Sequence, residues 1–324
     1  MTGPTYFQIE RVEQPSPEEF LQRYEIPMKP VVITGALSRW KALSIWNHEW
    51  FKQEYGPKVI GLSVNPTHTY RVLKMKLADY IDRIQSGTDK LLYMDQCPIE
   101  EFPGLSDYFQ APEYCNSERE LIVNLWVGPA GTILGFHKDN HNQFDAINNI
   151  FVQIHGRKRI VLAAPDQDAF MYQRAPENGA YWHSQIYDPD EVDFSLHPLF
   201  RQATLFETII HPGEILFIPG NYWHYVRALD KSISMSFWWR HYRLVEIING
   251  FFKNASSEKE RSTFLESYGG VITPKDVEDF GGIEKLANAL NGLGERRHSV
   301  LDLFAASVRV TLPNTSSADA PSGR

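Results

Sequence analysis

The sequence predicts a mainly β fold, a sandwich or barrel of short strands set between an α/β N-terminal part and C-terminal helices. Three observations lead there. From about residue 120 the chain becomes a series of short apolar runs punctuated by Gly and Pro, the pattern of many short strands joined by turns. Trp, Tyr and Phe make up 13% of its 324 residues, which suits a β-rich core with aromatic walls. Beyond residue 242 the apolar period becomes helical.

In chain order, Ser16-Pro-Glu-Glu-Phe opens a helix through Tyr24, with a capping residue, Pro at the first helical position and acids in the first turn. Lys29-Pro-Val-Val-Ile-Thr-Gly35 is a β-branched strand closed by Gly. Residues 40–55 form an aromatic-rich helical stretch, 56–65 a strand, 74–86 a helix and 90–95 a strand. Further strands fall at 121–127, 136–139, 149–155, 158–163, 214–219, 222–228 and 232–239. His155-Gly156-Arg157 marks a hairpin turn. Residues 166–206, rich in Asp, Pro, Tyr and His, form a long insertion between strands, suited to a lid or a substrate wall. Helices follow at 243–254, 257–268 and 282–308, the last with Leu286, Leu290, Leu293, Leu301 and Leu303 among its apolar positions. The expected organisation is a β-rich domain with its N-terminal α/β extension (1–245), a helical region (246–310) and a disordered tail (311–324). No internal repeat is visible.

Composition removes several function classes. A net charge of −8 argues against whole-chain electrostatic binding of nucleic acid, leaving short basic runs such as Arg157-Lys158-Arg159 and Arg296-Arg297, which read as solvated turns. Cys97 and Cys115 build neither a disulfide framework nor a zinc cluster and fit a reducing compartment. No signal peptide opens the sequence, and no apolar run approaches the ~20 residues that span a bilayer. The expectation is a soluble, cytoplasmic protein with no membrane partner.

The chemistry-bearing pattern is His137-Lys138-Asp139 together with the distant His224, inside Pro212-Gly-Glu-Ile-Leu-Phe-Ile-Pro-Gly-Asn-Tyr-Trp-His224. A His-x-Asp tripeptide alone is weak evidence in a chain with 11 His and 40 acidic residues. In a strand, however, residues i and i+2 share a face, so His137 and Asp139 can grip one ion without backbone distortion. His224, after an apolar strand and a Pro-Gly-Asn turn, supplies a third donor. Two histidines and one carboxylate are the facial triad that holds a divalent iron and leaves its opposite face open. His155, His183, His197, His211 and His241 lack a partner at ligand spacing and read as structural or surface residues.

Over residues 15–245 the chain resembles the JmjC family of iron- and 2-oxoglutarate-dependent oxygenases. Four stretches carry the resemblance: Lys29-Pro-Val-Val-Ile-Thr-Gly-Ala-Leu-Ser-Arg-Trp40, Asn124-Leu-Trp-Val-Gly128, Asn149-Ile-Phe-Val-Gln-Ile-His-Gly-Arg-Lys158, and Pro212 through Trp223-His224. The small hydroxylases are more similar to it than the multidomain histone demethylases. The resemblance implies a double-stranded β-helix (jelly-roll, cupin) core and the cofactors Fe(II), 2-oxoglutarate and O2. It makes His137, Asp139 and His224 the iron ligands and Lys158 the partner of the distal carboxylate of 2-oxoglutarate, assisted by Asn149 and Tyr93. No catalytic residue beyond the metal ligands is implied.

The chain also departs from the family pattern. Leu134 stands where relatives often have Thr or Ser, with Thr132 upstream as the substitute cosubstrate contact. The stretch between Asp139 and Asn149 is longer than usual and contains His141, an alternative ligand. Ser236-Phe237-Trp238 replaces a common Asn-Phe-Trp. Trp126, Phe136, Tyr222, Trp223, Phe237 and Trp238 are expected to wall the site.

Charge supports the cosubstrate assignment. Iron(II) with one Asp and a dianionic 2-oxo acid leaves one negative charge, which a buried Lys158 neutralises. The implied reaction is hydroxylation of a protein or peptide side chain. The alternatives are hydroxylation of a tRNA base or small metabolite, N-methyl-lysine demethylation, and a metal cupin that is not an oxygenase. The helical region is expected to form a homodimer.

Overall fold

The structure, a computed structural model, describes residues 3–64, 72–88, 91–115, 121–139, 146–174 and 183–241. The expectations for residues 246–324, the longer loop with His141 and part of the 166–206 insertion lie outside the described residues.

Fourteen strands are described: β1 (Thr5–Gln8), β2 (Arg11–Glu13), β3 (Val31–Thr34), β4 (Val59–Val64), β5 (Val72–Lys76), β6 (Leu92–Pro98), β7 (Ile122–Gly128), β8 (Ile133–His137), β9 (Ala146–His155), β10 (Lys158–Ala163), β11 (Thr204–Ile210), β12 (Ile215–Ile218), β13 (Trp223–Ala228) and β14 (Ser232–His241). They form a small sheet, β1-β11-β10-β13-β8, and a large one, β2-β3-β12-β9-β14-β7-β6-β4-β5. The two face each other as a jelly roll, with β11-β10-β13-β8 opposite β12-β9-β14-β7.

Three apolar layers follow from the two-residue period of strands. Trp126, Phe151, Leu216, Ile218 and Trp238 of the large sheet meet Ile160, Leu162, Ile210 and Val226 of the small sheet between the layers. Their sequence neighbours Leu125, Val127, Ile150, Val152, Phe217 and Phe237 point the other way, into a core shared with the N-terminal helices. Phe136, Val161, Trp223 and Tyr225 form a third layer outside the small sheet, covered by Met171, Ile186 and Phe200. Three of the six expected wall residues are therefore misplaced: Phe136, Trp223 and Phe237 face away from the site. Each is one residue from an inward-facing side chain, so strand alternation sends it outward.

The N-terminal helices are shorter than expected. Ser16 caps α1 (Pro17–Phe20) by accepting a hydrogen bond from Glu19 N at 3.1 Å, and a π-type turn, Leu21–Glu25, continues it. Residues 40–55 split into α2 (Ala42–Ile45) and α3 (His48–Tyr55), because Asn47 turns extended and caps α3 through Trp50 N at 2.9 Å. The helix expected at 74–86 starts only at Leu77 (α4, Leu77–Ser86). Its first three residues pair instead with β4, where Lys76 lies opposite Val59. It ends at Gly87, whose φ of +68° suits glycine. Strands β1, β2, β5 and β11 have no counterpart among the expected strands. Among the described residues no helix is long and apolar enough to cross a membrane.

Candidate metal centre

The ladder between β8 and β13 sets His137 directly opposite His224. Between the pairs His137–His224 and Leu134–Val226 the register shifts, three residues of β8 spanning two of β13. This bulge turns both Leu134 and His137 inward although they are three apart. The strand ends at His137, so Asp139 lies just beyond it rather than within it.

One donor atom from each of His137, Asp139 and His224 lies within 4.8 Å of the others. Asp139 Oδ1 is 3.8 Å from His137 Nε2 and 3.4 Å from His224 Nε2. Each imidazole uses Nδ1 elsewhere, His137 toward Gly135 O at 2.8 Å and His224 toward Tyr222 O at 3.2 Å. Donating Nδ1–H to a carbonyl fixes the tautomer with a bare Nε2, the form that ligates. Burial, aided by the neighbouring His224, pushes the His137 pKa down to about 3, so this ring is neutral at ordinary pH. Burial favours the neutral form of Asp139. His224, His137 and the amide of Asn149 outweigh it and hold the carboxyl below its usual value. Asn149 Nδ2 donates to Asp139 Oδ2 at 3.1 Å. Burial lowers the His224 pKa too, but the facing Asp139 carboxylate outweighs it and raises the value, so a metal would displace the proton at His224 Nε2. Two imidazoles and one oriented carboxylate fit a divalent metal.

The same cavity, about 460 Å³ with its open mouth included, contains Lys158, Tyr93, Thr132 and Asn149 beside the triad. Lys158 is the first residue of β10 and is only 1% exposed. Its ammonium donates to Tyr93 Oη at 3.1 Å and lies 5.0 Å from the Phe151 ring centre. No ion pair to Lys158 is found among the described residues, and burial drives its pKa from 10.5 to about 7. Asn149 Oδ1 is also buried, and among the described residues it has no hydrogen-bond partner. A site that buries an unneutralised cation is shaped for an anionic ligand, while the amide oxygen calls for a hydrogen-bond donor. Thr132 borders the cavity, but its hydroxyl donates to Pro129 O at 3.0 Å. Trp126 and Trp238 wall the cavity as expected, and Trp126 Nε1 donates to Ser236 Oγ at 2.8 Å.

Residues 17–243 match the cupin-like domain family. Lysine-specific demethylase 8 of Xenopus tropicalis is 34% identical over 242 residues, which cover 71% of this chain and 52% of that protein. The chain belongs to the cupin-like JmjC family. Another relative, lysine-specific demethylase JMJ30 of Arabidopsis thaliana, is 30% identical over 241 residues, 71% of this chain and 54% of its own. The tRNA wybutosine-synthesizing protein 5 of Gallus gallus is 29% identical over 142 residues, 44% of this chain and 41% of its own. The chain spans about half the length of the curated relatives it matches.

Two contacts around this JmjC centre had no sequence signal. The ring of His183, read as a structural or surface residue, stacks on His137 with centroids 5.7 Å apart. Glu25, from the N-terminal π-type turn, accepts from Asn148 Nδ2 at 3.3 Å. Asn148 Oδ1 in turn accepts from Gly220 N at 3.0 Å, in the turn ahead of His224. A covering segment and a buried carboxylate from distant sequence have no period or local motif to expose them.

Proposed function

We propose that this chain is an iron(II)- and 2-oxoglutarate-dependent hydroxylase acting on a protein or peptide side chain. The observation that carries the reading is the buried ammonium of Lys158, free of any ion pair among the described residues and sharing one cavity with the His137–Asp139–His224 cluster. A cupin that holds only a metal has no use for such a cation. When bound, iron with 2-oxoglutarate and O2 supplies an oxidant able to take hydrogen from a substrate C–H, with succinate and CO2 as coproducts.

The chain's own residues place and shield that chemistry. His137 would offer a neutral Nε2, His224 would give up its Nε2 proton to the metal, and Asp139 would remove one unit of the metal's charge. Lys158, held by Tyr93, would neutralise the distal carboxylate of the cosubstrate, and Asn149 and Thr132 would complete its polar wall. Trp126, Phe151, Ile218 and Trp238 keep water from the site.

The relatives' names add two other substrates, N-methyl-lysine and tRNA. Demethylation needs the same first step, oxygen insertion into a methyl C–H. The test is succinate formation on iron and 2-oxoglutarate, with mass spectrometry of candidate substrates. A gain of one oxygen mass supports hydroxylation, and loss of a methylene mass means demethylation. Succinate released only with a tRNA substrate would favour the second reading. No 2-oxoglutarate binding at all would leave a metal cupin. We propose a cytoplasmic location, in keeping with the free thiols of Cys97 and Cys115, and assign residues 282–308 to a homodimer contact on the strength of their apolar stripe. A monomer mass in light scattering at micromolar concentration would overturn the latter.

A further inference from the structure

We propose that Asp168 is a positioning residue for the metal centre: from outside the small sheet, its carboxylate ties the residue between the first two ligands to the residue preceding the third. The inference rests on the metal reading above and concerns residues that no part of that reading uses.

His137 and Asp139 face the cavity, so the intervening Lys138 is directed to the opposite side. Its side chain is only 5% exposed and its ammonium donates to Asp168 Oδ1 at 2.7 Å. The ammonium also sits 4.7 Å from the centre of the Trp223 ring, over its face. Trp223 is fully buried, and its indole Nε1 donates to the same Asp168 Oδ1, also at 2.7 Å. One carboxylate oxygen thus receives hydrogen bonds from the neighbours of all three ligands.

Geometry explains why such a tie is needed. His137 is the last residue of β8, and the β8–β13 pairing ends with His137 and His224, so Asp139 lies beyond the ladder. Asp168 stands in the 3-10 turn Pro165–Phe170 that follows β10, and the last residue of β10, Ala163, pairs with Trp223. The turn is therefore anchored to the strand of His224, and Lys138 is anchored to the turn. Without Asp168, a buried ammonium has lost its counter-charge and gains by swinging toward solvent. That movement would drag the backbone between His137 and Asp139.

The test measures metal binding in the full chain, with Mn(II) as the probe in calorimetry, alongside metal-free melting curves and the visible absorption of Co(II) at the site. Asp168→Ala should weaken Mn(II) on the order of ten- to a hundredfold, the usual effect of losing a group that orients ligands. It should also change the Co(II) spectrum. Asp168→Asn keeps an acceptor for the Trp223 indole but not the charge for Lys138, and should fall between wild type and Asp168→Ala. It also serves as the test if the alanine variant does not fold. Mn(II) affinity within about twofold of wild type, with an unchanged Co(II) spectrum, would overturn the proposal even if the melting temperature falls. Absence of Mn(II) binding by the wild type would instead overturn the metal reading and the tie together.

Discussion

Replacing Lys158 by Met should have opposite effects on stability and on ligand binding, and the sign of each follows from burial. The ammonium is 1% exposed with no ion pair among the described residues, and its pKa is lowered by burial to about 7 from 10.5. A basic group whose folded pKa is depressed costs stability. The penalty is complete below pH 7, where both states are protonated. It shrinks as pH rises from 7 to 10.5, because the unfolded chain still holds the proton that the folded one has released, and it vanishes above that window. At about 1.4 kcal/mol per pH unit, the ceiling is about 5 kcal/mol. The lost hydrogen bond to Tyr93 offsets roughly 1 kcal/mol of that. Metal-free Lys158→Met should therefore resist urea better than wild type at pH 6, with the gain fading by pH 10. Calorimetry with Mn(II) in place of iron should show the reverse for the cosubstrate. Removing one partner of a buried pair costs about 3–5 kcal/mol, or about two to three and a half decades in 2-oxoglutarate affinity. Mn(II) affinity should hardly change. A variant less stable than wild type at pH 6 would refute the claim that the cation is uncompensated, and unchanged 2-oxoglutarate affinity would move the cosubstrate site elsewhere.

Three further outcomes are expected. A Cβ on Gly128 would lie 2.5 Å from Cδ2 of the buried Tyr93 ring, so Gly128→Ala should shift Tyr93 from Lys158 and weaken 2-oxoglutarate more than Mn(II) in the same titration. Its overpacking should cost about 1–3 kcal/mol of stability. His48 is buried against His155 and its pKa is lowered by burial to about 4, so its contribution to stability is present above about 6.5 and is lost as pH falls toward 4. His48→Leu should remove up to about 3 kcal/mol of acid sensitivity in that window, read as the difference between melts at pH 7 and pH 4.5. Asp139→Ala should abolish metal binding by elemental analysis while the circular dichroism of the fold persists, since Asp139 lies beyond the end of β8 and takes no part in the strand pairing.

What could be read from the sequence is what is local or periodic. Strand 158–163 was placed to the residue because its inward and outward faces are both apolar and Gly156 turns the chain before it with φ of +72°. The three donors of the metal cluster were legible because two sit in one tripeptide and the third follows a Pro-Gly-Asn turn, where Asn221 adopts φ of +65°. Strand β1 was not, because Thr5–Gln8 is mostly exposed and exists only by parallel pairing with Thr204–Glu207, some two hundred residues away. Strand β11 carries no such signal, because Thr204, Glu207 and Thr208 break its apolar run; its first three residues fall in the expected 166–206 insertion and the rest in no expected element.

The aromatic walls fall between these cases. Phe136, Trp223 and Phe237 each adjoin an inward residue, so the two-residue period already sends them outward once His137, His224 and Trp238 are taken as inward. Asp168 marks the limit of that kind of reading. Asp166 and Asp168 stand in one short Asp-rich turn, and no pattern distinguishes them, yet only Asp168 receives both Lys138 and the Trp223 indole. That choice is made by the sheet. The β10–β13 register puts Ala163 beside Trp223, and the turn after it then delivers one particular carboxylate to the far side of the ligand strand. The three clustered donors are thus written locally, while what holds them in register depends on strand pairings that only the folded chain supplies.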